Sequence, residues 1–169
     1  MTPPDFPAGE YVSEPSPSPQ RRDELIAEID RLPRRISKLV GTRSPEQLER
    51  RYKKWTIRQI VHHLADSHMN AFVRFRLTLT EDRPTIKPYD ETRWAELIDT
   101  RTSDANLSVA LLMSLHARWV FLMRQMTESD WERSYVHPEY QKEFRLAEAL
   151  GLYAHHCRHH SGQIEWLLP

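Results

Sequence analysis

One cysteine, four glycines and no surplus charge of either sign mark this 169-residue sequence. A lone thiol, Cys157, has no partner within the chain, so no internal disulfide holds the fold. Lys and Arg number 24, and Asp and Glu number 24. A protein whose affinity rested on neutralising phosphates would carry excess cations, so the balance argues against a dedicated nucleic-acid binder. The short basic runs Arg34-Arg35 and Arg50 to Lys54 read instead as solvated helix ends. No apolar run approaches the ~20 residues that span a bilayer. The N-terminus lacks the apolar stretch of a secretory signal. These absences predict a soluble cytoplasmic protein with no membrane partner, long enough for one domain with its own core.

Proline and histidine are what the chain has in quantity. Six of the twelve prolines precede residue 20, so residues 1–20 are expected to form an extended arm outside a single domain over 21–169. The rest reads as helices. Leu25, Ile29, Leu32, Ile36 and Leu39 step by four and three, the seam of a bundle helix over about Arg21–Val40. Pro33 should kink or divide it, and Gly41 should stop it. Thr56 and Gln59 have the spacing of a capping box, and Ile57, Val61, Leu64, His68, Ala71 and Phe75 continue as a seam to about Thr80. The stretch Glu81–Asp90, with two prolines, is a loop, and a short helix over Glu91–Ile98 follows. A third long helix opens at Ser103 or Asp104, both good N-caps, with a seam of Leu112, Leu115, Trp119, Leu122 and Met126. The segment Trp131–Phe144 is poor in helix formers and could hold a small hairpin. A fourth long helix covers about Leu146–Leu167. Four such helices predict an all-α four-helix bundle.

The nine histidines cluster, three within Val61–His68 and four within His155–His160. His156 and His160 are four residues apart on the apolar stripe of the last helix, so their rings project together about 6 Å apart at Cβ. That separation suits two ligands of one tetrahedral ion. Two inward imidazoles left unpaired would be costly. His155 and His159 share the spacing but lie on a more mixed stripe. On the earlier helix His62, His63 and His68 all compete for the place of a third ligand. His68 occupies the apolar stripe, while His63 lies on a polar flank with Ser67, Asn70 and Arg74. Periodicity leaves that choice open.

The segments WTIRQIVHHLADSHMNAFVRFRLTLTE, PTIKPYDE and ALGLYAHHCRHHSGQI resemble the DinB/YfiT family, whose members are assigned as metal-dependent hydrolases. Carried over by position, the resemblance implies His63, His156 and His160 as metal ligands. It also implies a four-helix bundle with a metal at one end, and a homodimer. The ion would be divalent, zinc by preference, with nickel as the alternative.

Three neutral imidazoles leave such an ion an open position, the arrangement of a catalytic site. A water held there could be deprotonated near neutral pH, which is the basis of a hydrolase of small molecules. The glutamate base of an HExxH motif is missing, since Cys157 stands in its place. Asp66, one turn from His63, is a candidate to orient that ring. Gln163 lies on the ligand face and could bond the water. Asn70 and Arg74 could bind an anionic group. Two other readings use the same site: a thiol S-transferase, in which the ion holds a thiolate, and a metal-binding bundle without catalysis.

Overall fold

A computed structural model describes residues 2–168. Ser18 caps the first helix by accepting from the backbone N–H of Arg21, and Pro19 takes the first helical position, where its missing N–H costs nothing. Helix α1 (Pro19–Val40) therefore begins two residues before the expected Arg21. Pro33 does not divide it; the helix runs on to Val40. Two short elements follow that periodicity could not indicate, α2 (Pro45–Leu48) and the tight antiparallel pair β1 (Arg51–Tyr52) and β2 (Trp55–Thr56). Thr56 ends β2 and caps α3 (Ile57–Thr80) through the expected capping box with Gln59. The expected helix over Glu91–Ile98 is instead two pieces, α4 (Glu91–Trp94) and α5 (Ile98–Thr102), because Leu97 is extended at ψ 151°.

Asp104 caps α6 (Ala105–Arg124), as its residue type suggests. Its buried stripe differs from the expected seam. Leu112 and Trp119 are buried, but the stripe runs on through Ser108, His116 and Met123, leaving Leu115, Leu122 and Met126 half-buried. Helix α6 is also long and apolar enough, by length and composition, to cross a membrane, which the reading of apolar runs missed. Here its buried stripe packs into the core, while Leu107, Leu111, Met113 and Phe121 stand exposed. After α7 (Glu128–Trp131), the strands β3 (Ser134–His137) and β4 (Lys142–Arg145) form the small hairpin, paired from Ser134–Arg145 to His137–Lys142. Helix α8 (Leu146–Leu167) closes the chain.

The four long helices make the bundle, α1 and α3 each packing against both α6 and α8. Ile29, Ile36, Leu64, Phe75, Leu112, Trp119, Leu146 and Ile164 lose essentially all contact with solvent. Each such side chain contributes roughly 1.5–3 kcal/mol on burial. The loop after α3 is irregular, as its prolines require, but it is anchored to the hairpin: Val136 N–H donates to Pro84 O and Ile86 N–H to Val136 O, both at 3.0 Å. Among the described residues the N-terminal arm has no regular element, and it lies against α8. Ser13 Oγ donates to Glu148 at 2.7 Å, and Tyr11 lies against His155 with ring centres 5.3 Å apart. The arm approaches Gly162 so closely that a Cβ there would stand 3.1 Å from Pro7.

Candidate metal centre

Two helices bring the histidines together. His63 sits in the second turn of α3, held there by the Thr56 cap, and His156 and His160 rise from successive turns of α8. Their ligand atoms all lie within 4.8 Å of one another. The Nε2 atoms of His63 and His156 are 3.2 Å apart. Two nitrogens on a tetrahedral ion at ~2.05 Å would be separated by about 3.3 Å. His160 completes the group, its ring centre 4.8 Å from that of His63 and 4.4 Å from that of His156. Trp55, from β2, covers the cluster with its ring centre 4.7 Å from His63.

The electrostatics suit a cation. Burial, reinforced by Lys54 and His159, lowers the His63 pKa to about 4. Burial and then the neighbouring histidines hold His156 and His160 well below the usual imidazole range. All three are neutral at pH 7, with lone pairs available and no charge to repel an ion. Gln163 Oε1 accepts from His160 Nδ1 at 2.8 Å, which leaves Nε2 of His160 as the free nitrogen. The same amide donates to His159 Nε2 at 2.9 Å. Gln163 thus braces a ligand ring, where the sequence suggested a contact to water.

The other histidines separate clearly. His62 is bonded by Ser108 at 2.7 Å and Ser103 at 3.3 Å, away from the cluster. His68, the rival on the apolar stripe, is fully buried behind His156, and its Nε2 lies 3.1 Å from His156 Nδ1. It supports a ring of the cluster from outside. Cys157 is buried, and burial raises its thiol far above the ordinary range.

Of the remaining candidates, Asp66 makes no hydrogen bond to His63 among the described residues. Burial and the Asp99 carboxylate raise its pKa to about 6. Asn70 turns back on its own helix and donates to the backbone carbonyl of Asp66 at 2.8 Å. Arg74 reaches farther. Its Nη1 donates to Tyr153 Oη at 3.1 Å, while its buried Nε has no partner among the described residues.

Arg74 lines a cavity of about 430 Å³, walled by Tyr89, Tyr135, His137, Phe144 and Tyr153 and reaching His156. Among the described residues no carboxylate pairs with Arg74, although Asp90, Glu91 and Glu139 stand exposed elsewhere on the lining. Neither spacing nor residue type marks Trp55 or His116 as part of this region. The unusual aromatic content of Trp131–Phe144 is the one trace of the aromatic wall.

Known proteins match along nearly the whole chain. A family profile described as DinB superfamily covers residues 28–164. A Bacillus subtilis (strain 168) protein, "Putative metal-dependent hydrolase YfiT", is 43% identical over 161 residues, which is 94% of this chain and 90% of that one. A Bacillus cereus (strain 03BB102) protein, "Putative metal-dependent hydrolase", is also 43% identical over 161 residues, covering 94% of this chain and 92% of its own. A solved structure, described as "YfiT from Bacillus subtilis is a probable metal-dependent hydrolase with an unusual four-helix bundle topology", superposes with a TM-score of 0.92. It shares 43% identity and covers 96% of this chain and 94% of that chain.

Proposed function

The chain belongs to the DinB superfamily, and on that footing we propose that it is a metal-dependent hydrolase of small molecules bearing an anionic group. The observation that carries this reading is the position of His156. That ring belongs both to the three-histidine cluster and to the wall of the Arg74 cavity. A molecule in the cavity therefore meets a ring of the cluster and a guanidinium together.

His63, His156 and His160 would hold a divalent ion, zinc by preference, as three neutral nitrogen donors. When bound, such an ion supplies Lewis acidity and allows hydrolytic chemistry at neutral pH. The chain's own residues do the rest. Arg74 binds the anionic group of the substrate, a fork of donors in a site partly closed to water. Tyr135 and Phe144, stacked with ring centres 5.8 Å apart, offer an apolar wall for the body of the substrate. Trp55 shields the cluster from the other side. His137 lines the same cavity, and burial keeps it neutral, so it can accept a proton at pH 7.

The test is metal analysis of the purified protein followed by assay on amides and esters of small carboxylic acids. Hydrolysis that is lost on chelation and restored by zinc is the expected result. If instead the metal-loaded protein leaves every ester and amide intact but joins a low-molecular-weight thiol to an electrophile, the same site serves thiol transfer and the hydrolase reading falls.

A further inference from the structure

A row of buried histidines leads away from the candidate metal centre and ends on the backbone of α1. His156 Nδ1 lies 3.1 Å from His68 Nε2. His68 Nδ1 lies 2.8 Å from His116 Nε2. His116 Nδ1 lies 2.7 Å from the carbonyl oxygen of Ile29. His68 and His116 are 0% and 1% exposed, stacked at 24° with ring centres 4.9 Å apart. No carboxylate bonds any of the three rings among the described residues.

The far end explains why the row exists. Residue 33 would ordinarily donate its N–H to the carbonyl of residue 29, but Pro33 has no N–H to give. The Ile29 carbonyl is left inside the core without its helical partner, and His116 supplies one. A proline within a helix and a histidine within an apolar stripe each look unfavourable alone. Together they satisfy each other.

The direction of every bond then follows. A carbonyl only accepts, so His116 carries its proton on Nδ1 and presents a bare Nε2. His68 must donate to that nitrogen from Nδ1, which leaves its own Nε2 bare. His156 must donate to that in turn from Nδ1. Its remaining nitrogen, Nε2, is the one that faces His63.

We propose that Pro33, His116 and His68 act as a positioning relay, fixing His156 as the Nδ1–H tautomer with a lone pair on Nε2 aimed at the metal. The proposal rests on the three-histidine site described above. Without the relay, His156 could place its proton on Nε2 and point an N–H where an ion must sit. His68 and His116 touch no substrate and are positioning residues. They do for His156 what Gln163 does for His160.

Nitrogen-15 NMR of the imidazoles in metal-free protein reads the tautomer directly, alongside zinc affinity of the wild type and of His116→Phe and His116→Asn. His156 is expected as the Nδ1–H form alone in the wild type. His116→Phe, which ends the row, should release that preference and weaken zinc binding ~10–100-fold, the usual cost of losing support behind a ligand. His116→Asn, able to donate to Ile29 and accept from His68, should recover at least part of both. A wild-type His156 protonated on Nε2 overturns the relay, and so does a folded His116→Phe protein that binds zinc as the wild type does. The tautomer is read without metal, so failure of the zinc site itself would appear separately, as absence of zinc binding by a wild type whose His156 still carries its proton on Nδ1.

Discussion

His63 and His156 lie 93 residues apart in the chain, yet their Nε2 nitrogens stand 3.2 Å from each other. If the row behind His156 leaves its Nε2 bare, only a proton on His63 or a cation can make that approach favourable. The protein should therefore be more stable with its ion. At zinc concentrations 100 times the dissociation constant, linkage gives about 2.7 kcal/mol. Thermal unfolding with zinc, then with excess chelator, should show a higher transition temperature that chelation reverses. Equal transitions in both would mean that no ion relieves this contact.

Acidification should destabilise the metal-free protein. The folded pKa of His63 and of His116 is about 4, below the ordinary 6.5. The unfolded chain therefore binds more protons between those values, and stability present above pH 6.5 is lost as pH falls toward 4. Asp66 acts in the opposite sense. Its folded pKa of about 6 lies above the ordinary 3.8, so its contribution grows as pH falls through that window. Several depressed histidines outweigh one raised carboxyl. Denaturant midpoints at pH 7.5 and pH 5 should show the lower stability at pH 5, and Asp66→Asn should steepen that loss.

Replacing Arg74 should affect substrates and leave the metal alone. Its unpartnered Nε and its place on the cavity wall point to an incoming anion. Arg74→Gln should lower kcat/KM for anionic substrates roughly tenfold or more, the value of one charge-assisted hydrogen bond. Zinc affinity should be unchanged, and neutral analogues should be far less affected. An equal loss for neutral and anionic substrates would remove the anion-binding role.

Cys157 should be inert in the native protein. The thiol is buried and its pKa is raised by that burial, so little thiolate exists to react at neutral pH. A colorimetric disulfide reagent should modify it only after denaturation, and Cys157→Ser should retain zinc binding. Rapid native labelling would contradict this.

The long helices were legible because apolar residues recur every three or four positions for five turns or more. The hairpin at Arg51–Thr56 and the helix Pro45–Leu48 were not, since elements of two to four residues leave no period to read. Shared spacing put His156 and His160 together, and periodicity correctly left His63 and His68 undecided. Both rings do lie against His156, one at Nε2 and the other at Nδ1. What separates them is which side of that ring they occupy, and helical periodicity carries no such information. His116 escaped notice because a polar residue within an apolar stripe looks like an interruption. Its partner is a carbonyl on another helix, freed by Pro33. Asn70 and Arg74 share a flank in sequence, but their partners divide them, one turning back to its own helix and the other crossing to Tyr153.

Three histidines sharing one ion are the heart of the proposed activity. Equilibrium titration with zinc, with cobalt as a coloured substitute, tests that sharing on the wild type and on His63→Ala, His156→Ala, His160→Ala and His62→Ala. One ion per chain is expected, with binding to the first three variants lost or weakened far more than the ~10–100-fold expected for residues behind a ligand. His62 is bonded to Ser103 and Ser108 away from the cluster, so His62→Ala should bind zinc as the wild type does. Undiminished binding by His63→Ala would contradict the account.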